Sequence, residues 1–308
     1  SDNPSQVILT GLGGSAAGGD FVSAMFDLNG SCPFSVNRDY HLPAYANSST
    51  IVFAVSYSGN TEETLAAYDD AKRKGCQIVA ITSGGKLGSL AEADGFPVIT
   101  IPAGQPPRTA LAYLLIPVMV ASQKLGLLPA NPMNELVAHL ETLVSKWSVE
   151  AVETNEAKSL AKSLHGSVSV IYGVGGWQSI VANRWKGQIN ENAKNMTFAN
   201  AFPELCHNEI LGWALAHNQG VESWQVITLQ DGTESAKMKA RESVTAELIS
   251  DKATVHRVVA PGATIAQKML GLALLGDFVS LYLAALNGVD PENIDAINHL
   301  KAELSKIP

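Results

Sequence analysis

Cysteine is scarce in this chain of 308 residues, with Cys32, Cys76 and Cys206 odd in number, widely spaced and outside any CxxC. That argues against a disulfide scaffold or a zinc ribbon and suits a reducing compartment, so a cytoplasmic location is expected. Charge is also thin, at 16% of residues, and its balance is acidic: 21 Lys and Arg against 29 Asp and Glu leave −8. Such a chain is poorly suited to polyanions through its overall field, and no nucleic-acid partner is expected. Low-complexity tracts are missing. The opening SDNPSQ runs straight into an apolar segment without a basic region, so no signal peptide is expected. Met269–Leu286 comes nearest to a membrane span, but Asp277 interrupts it and basic clusters do not flank it. It reads as a buried helix, and no membrane partner is expected.

What is present is apolar: 46% hydrophobic residues, enough for sizeable cores and too many for disorder. The apolar runs Val7–Thr10, Ile51–Val55, Gln77–Thr82 and Pro97–Ile101 read as strands. Helical stretches follow from Ala16 and over Glu62–Lys74, Leu87–Ala93 and Ala110–Leu125. Unbroken Val/Ile runs alternating with helices predict a doubly wound α/β domain with a parallel sheet. Residues 131–165 have helical spacing and no strand signal, and read as a helical connector. The pattern then restarts: Val168–Tyr172 as a strand, a glycine turn, and Gln178–Lys194 as a helix. Gly11-Leu12-Gly13-Gly14 set beside Gly173-Val174-Gly175-Gly176 marks an internal duplication. Trp224–Leu229 and Thr254–Val259 supply later strands, and Thr264–Asn287 and Pro291–Lys306 closing helices. The expected division is 1–130, a connector 131–165, 166–262, and closing helices 263–308.

Gly11-x-Gly13-x-x-Ala16 matches a dinucleotide fingerprint, which also needs an acid about 20 residues on to hold a ribose. Pro33–Arg38 has none, so a nicotinamide cofactor is not favoured. Ser56-Tyr57-Ser58-Gly59-Asn60-Thr61 says more. A turn between a buried strand and a helix offers free N–H groups and the positive end of the helix dipole. Three hydroxyls and a glycine there make a phosphate cradle without a lysine or a metal. An ordinary helix cap by Ser58 or Asn60 would need only one of them.

At this loop the chain resembles the sugar isomerase (SIS) domain family, whose phosphate loop reads S-x-S-G-x-T. Further motifs are Gly14-Ser15, Pro102–Arg108, Arg184-Trp185-Lys186, Asn190–Lys194, Pro203–Glu209 with Trp213, and Leu300-Lys301. With them the whole chain resembles the bifunctional phosphoglucose/phosphomannose isomerases. The resemblance implies two SIS domains of three-layer αβα, flavodoxin-type architecture. It also implies a homodimer with shared active sites, hexose 6-phosphate substrates and a cis-enediol proton transfer that needs neither cofactor nor metal.

Gly14, Ser15, Ser56, Ser58 and Thr61 would anchor the phosphate, letting a remote group orient the reacting carbons. The resemblance makes Glu204 the base. Its neighbours Phe202, Pro203 and Leu205 would surround the carboxyl with apolar groups, which favours proton uptake. Glu209 competes with it on spacing alone. Arg108, behind two prolines, would stabilise the enediolate, His217 would open the ring with His207 as the fallback, and Lys301 would reach the sugar. Arg184, Lys186, Glu191 and Lys194 read as a solvated or subunit-facing surface. The competing reading is a SIS-domain protein that binds a sugar phosphate without converting it.

Overall fold

The computed structural model describes residues 4–151, 154–304 and 306. The chain forms two compact units, Ser1–Asn131 and Pro132–Pro308. The first runs β1 (Gln6–Thr10), α1 (Gly14–Asn29), β2 (Phe34–Asn37), β3 (Thr50–Val55), α2 (Glu62–Arg73), β4 (Gln77–Thr82), α3 (Gly85–Ala93), β5 (Val98–Thr100) and α4 (Leu111–Lys124). Its sheet is parallel, in the order β2-β1-β3-β4-β5. This is the flavodoxin-like order, with a switch point between β1 and β3, whose following connections lead to opposite sides of the sheet. β3 is buried at every position, as a central strand covered on both faces must be. Ile8, Val52, Ala54, Tyr68, Ile78 and Leu87 join in one core.

The second unit begins with α5 (Met133–Trp147) and α6 (Glu156–Leu164). It continues through β6 (Ser169–Val174), α7 (Gly176–Ala193), β7 (Thr197–Phe202), α8 (Glu209–Ala214), β8 (Gln225–Gln230), α9 (Ala236–Ser250), β9 (Thr254–Val259), α10 (Ile265–Asn287) and α11 (Asp295–Leu304). Its sheet, β7-β6-β8-β9, is also parallel and repeats the strand order of the first. The duplication seen in the glycine turns is therefore a duplication of topology. Residues 131–165, read from sequence as a connector, contain α5 and α6, and both helices pack on α10 within the second unit.

α10 is the one helix among the described residues long and apolar enough to cross a membrane, and much of it is buried against protein. A capping box starts it: Thr264 Oγ1 accepts from the Gln267 amide and Gln267 Oε1 from the Thr264 amide. It packs on α7, where the Trp185 indole donates to the Leu272 carbonyl at 2.7 Å. Gly276 makes that approach possible, since a Cβ there would lie 2.3 Å from Trp185 Nε1. Asp277 explains its place in an apolar helix by accepting from Arg184, at 3.0 Å, and from Gln188. The mixed-charge surface expected of α7 is thereby corrected at Arg184, whose side chain is only 7% exposed and is spent on packing the helix pair. Lys194 is likewise engaged, donating to the carbonyls of Glu191 and Asp290.

Candidate active site

In the first unit the predicted phosphate residues come together at the C-terminal ends of β1 and β3. Ser15, buried at the start of α1, accepts the Tyr57 amide on its Oγ at 3.2 Å. Ser56 and Thr61 share a hydrogen bond between hydroxyls at 2.9 Å, and the Gly59 amide donates to Ser56 Oγ. Ser58 is exposed and Gly14 half-buried. Thr61 is the N-cap of α2, and no side chain caps that helix. The ordinary-cap reading of Ser58 and Asn60 is thereby set aside: Ser58 accepts the Asn60 amide, and Asn60 Oδ1 accepts the Lys86 amide instead. An uncapped helix end with hydroxyls around it has the free N–H groups and dipole sign that suit an anion.

Gly59 holds the turn closed. Its φ is +70°, and a Cβ would stand 1.8 Å from the Gly84 carbonyl oxygen. Only glycine permits both the left-handed backbone and the approach. The Leu87 amide donates to the Gly59 carbonyl, so the start of α3 backs the loop. Tyr57 extends the arrangement, its Oη accepting the Gln105 amide at 3.0 Å. That ties the Pro102–Arg108 segment to the Ser56–Thr61 loop. Arg108, half-buried, sits in the short 3-10 turn Pro107–Thr109, which packs on α1. Tyr57 was not among the predicted site residues, and its hydroxyl would have been recognisable only with Gln105 in view.

In the second unit Glu204 lies in the 3-10 turn Glu204–His207, between β7 and α8. Phe202 and Leu205 point into the core with Tyr172 and Trp213, and Glu204 is left exposed. The apolar enclosure expected around its carboxyl is therefore not built by its sequence neighbours, because alternate side chains at the strand end and the turn face opposite ways. Its Oε1 accepts from Asn208 Nδ2 at 3.0 Å. Glu209, equal to it on spacing, has a different environment. Its two oxygens accept from the Tyr172 hydroxyl and from Asn200 Nδ2, and Trp213 Nε1 donates to Tyr172 Oη at 2.7 Å. Burial, and then the Glu209 carboxylate, push the Tyr172 phenol well above its ordinary pKa, so it stays a donor. Glu209 is committed to a network while Glu204 Oε2 accepts no hydrogen bond among the described residues. The two carboxylates, alike on spacing, therefore have different environments.

His217 is exposed in the turn Ala216–Asn218, and Lys301 is exposed on α11, a helix that buries none of its described side chains. Among the described residues no hydrogen bond joins Glu204, His217 and Lys301 to one another. His207 is exposed beside Glu204. A cavity of about 420 Å³ opens next to this network, lined by Glu209, Trp213, Phe198, Ala216, Val221 and Trp224 among others. No group of three or more His, Cys, Asp and Glu among the described residues is arranged to hold a metal ion.

Two duplicated parallel sheets, with an uncapped, hydroxyl-lined helix terminus at the switch point of the first, define a protein of the SIS class. Models of the SIS domain and of the bacterial phospho-glucose isomerase C-terminal SIS domain match residues 2–121 and 153–304. The chain belongs to the bifunctional phosphoglucose/phosphomannose isomerase family. It is 44% identical to the bifunctional phosphoglucose/phosphomannose isomerase of Caldicellulosiruptor bescii, over 98% of this chain and 90% of that protein. It is 33% identical to the protein of the same description from Aquifex aeolicus, over 97% of this chain and 90% of that one. A solved structure of a hypothetical protein from Thermus thermophilus superposes with a TM-score of 0.77 over 98% of this chain and 83% of that one, at 17% identity.

Proposed function

We propose that this chain interconverts glucose 6-phosphate and fructose 6-phosphate, and converts mannose 6-phosphate by the same route. The observation that carries the reading is the 44% identity, along 98% of the chain, to a bifunctional phosphoglucose/phosphomannose isomerase. The hydroxyl-lined terminus of α2 supports it as an anchor for a sugar phosphate. Ser15, Ser56, Ser58, Thr61 and Gly14 hold the phosphate, and His217 opens the ring. Glu204 takes the proton from C2 and returns it to C1, while the hydroxyl proton moves between O1 and O2. Arg108 stabilises the negative oxygens of the intermediate, and Lys301 holds a sugar hydroxyl. The cis-enediol is planar at C2, so the configuration there is lost. One intermediate then serves both aldoses, and the face on which the proton returns decides which of them forms. No cofactor or metal takes part in this scheme. The working unit is a cytoplasmic homodimer with shared active sites.

The test is a coupled assay on EDTA-treated protein given fructose 6-phosphate, with glucose 6-phosphate and mannose 6-phosphate followed separately. Both products are expected. A ligand-induced rise in Tm without turnover would instead establish the non-catalytic binding protein. Glu204→Gln is expected to cost about 10²- to 10⁴-fold in kcat, the worth of a positioned general base, while sugar-phosphate binding survives.

A further inference from the structure

Asn208 lies between the two carboxylates and touches both ends of their segment. Its Nδ2 donates to Glu204 Oε1 at 3.0 Å, and its Oδ1 accepts the Glu209 amide at 2.6 Å as the cap of α8. The two bonds fix the orientation of the side-chain amide. Turning it over would set NH₂ against the Glu209 N–H and a carbonyl against a carboxylate, both repulsive. α8 itself is held from below. Glu209 accepts from Tyr172 on β6 and Asn200 on β7, and the Trp213 indole, one turn along α8, donates to the same Tyr172. The chain of contacts therefore runs from the buried sheet through α8 and Asn208 to one oxygen of an otherwise exposed carboxylate.

We propose that Asn208 is the positioning residue for the catalytic base: it holds Glu204 Oε1 so that Oε2 alone faces the proton it transfers. The inference rests on Glu204 being that base. An exposed glutamate samples several rotamers, and fixing one carboxylate oxygen removes most of that freedom before substrate arrives. Asn208 acts through Glu204, so its loss lowers kcat and leaves KM, set by the phosphate anchor, in place.

Asn208→Asp is the decisive variant. An aspartate caps α8 as well as asparagine does, so the fold is kept, but it presents a carboxylate oxygen to Glu204 in place of the amide donor. With Asn208→Ala beside it, a loss in kcat of about 10- to 100-fold at unchanged KM is expected for both variants, the scale of a misplaced reacting group. In a Glu204→Gln background neither substitution should lower the residual rate further, because a positioning residue has nothing left to position. Full kcat in Asn208→Asp and Asn208→Ala, with Glu204→Gln inactive, overturns the role of Asn208 and leaves the base assignment standing. A fully active Glu204→Gln overturns the base assignment, and the role of Asn208 falls with it.

Discussion

The loops after β3 and β8 occupy the same place in the two halves of the duplication, one neutral and the other carrying carboxylates. Thr10 of β1 pairs with Ala54 and Tyr172 of β6 pairs with Thr228, so Ser56 corresponds to Gln230 and Thr61 to Ser235. On that register the Ser56 and Ser58 hydroxyls are replaced by Gln230 and Gly232, Tyr57 by Asp231 and Asn60 by Glu234. Across the turn, Ser15 corresponds to Trp177. Ser15 accepts the Tyr57 amide, whereas Trp177 hydrogen-bonds the Asp231 carboxylate. Lys268 pairs with Asp231, and Glu234 accepts the Asp231 amide. The N-caps differ as well, for the Ser235 side chain accepts from Met238 while the Thr61 side chain accepts nothing from its helix. The second loop has filled its helix terminus with its own side chains and carboxylates. The first has left a neutral, hydroxyl-lined gap. One fold thus provides two equivalent loops, and their side chains give only the first a neutral, hydroxyl-lined helix terminus.

The comparison breaks most readily at Ser58. Ser58→Asp gives the first loop the charge character of the second. Like-charge repulsion of several kcal/mol should lower kcat/KM for fructose 6-phosphate about 100-fold or more, measured in the coupled assay. Unchanged kcat/KM would mean that the phosphate binds elsewhere.

The second largest effect separates the halves by stability. Asp277→Ala removes the carboxylate that Arg184 meets on the α7–α10 contact, whereas among the described residues no ion pair joins α1 and α4, the corresponding helix pair of the first unit. About 3 kcal/mol should be lost, seen as a fall in Tm, with hydrogen exchange quickening in the second unit before the first.

A smaller effect concerns the far end of α2, the helix whose start makes the cradle. Burial acts to raise the Asp70 carboxyl, but Lys74, Arg73 and the Leu42 amide outweigh it and bring its pKa from 3.8 down to about 2. A depressed carboxyl stabilises the fold above its unfolded pKa, and that contribution disappears as the pH falls from 3.8 through 2. Asp70→Asn should therefore cost about 2 kcal/mol at pH 7 and flatten the acid limb of a denaturation series between those values. A parallel loss at every pH would refute the linkage.

The smallest effect sharpens the contrast from the other side. Asp231→Asn should leave KM for the sugar phosphate unchanged, because the second loop has no part in anchoring it. A raised KM would show both halves to be engaged.

Much of the fold was legible because central parallel strands are buried on both faces and need continuous apolar runs. Ile51–Val55 and Gln77–Thr82 fall within β3 and β4 for that reason. Elements whose burial is not written in apolar residues were not read. β7 carries Asn200 and small residues because it is an edge strand. α9 buries Glu242 and Thr245 beside its alanine and isoleucine, so its inner face carries no clean apolar stripe. The closing helix expected over Pro291–Lys306 begins only at Asp295 and buries no described side chain.

At the site, the Ser56–Thr61 cradle was visible because backbone geometry makes it, and backbone geometry follows from local residue types such as Gly59. The standing of Glu204 against Glu209 was not, since two carboxylates five residues apart on an irregular segment look alike. Tyr172, thirty-seven residues upstream of Glu209, and Asn200 at the sheet edge distinguish them. The sequence by itself determined the duplicated parallel sheets and the serine-rich turn, both products of short-range pattern. Only the tertiary structure decided which carboxylate is held in a buried network and which is exposed with a single hydrogen bond from Asn208, and where Arg184 and Asp277 meet. Hydrogen bonds and ion pairs between distant segments exist only once folding has closed the chain between them.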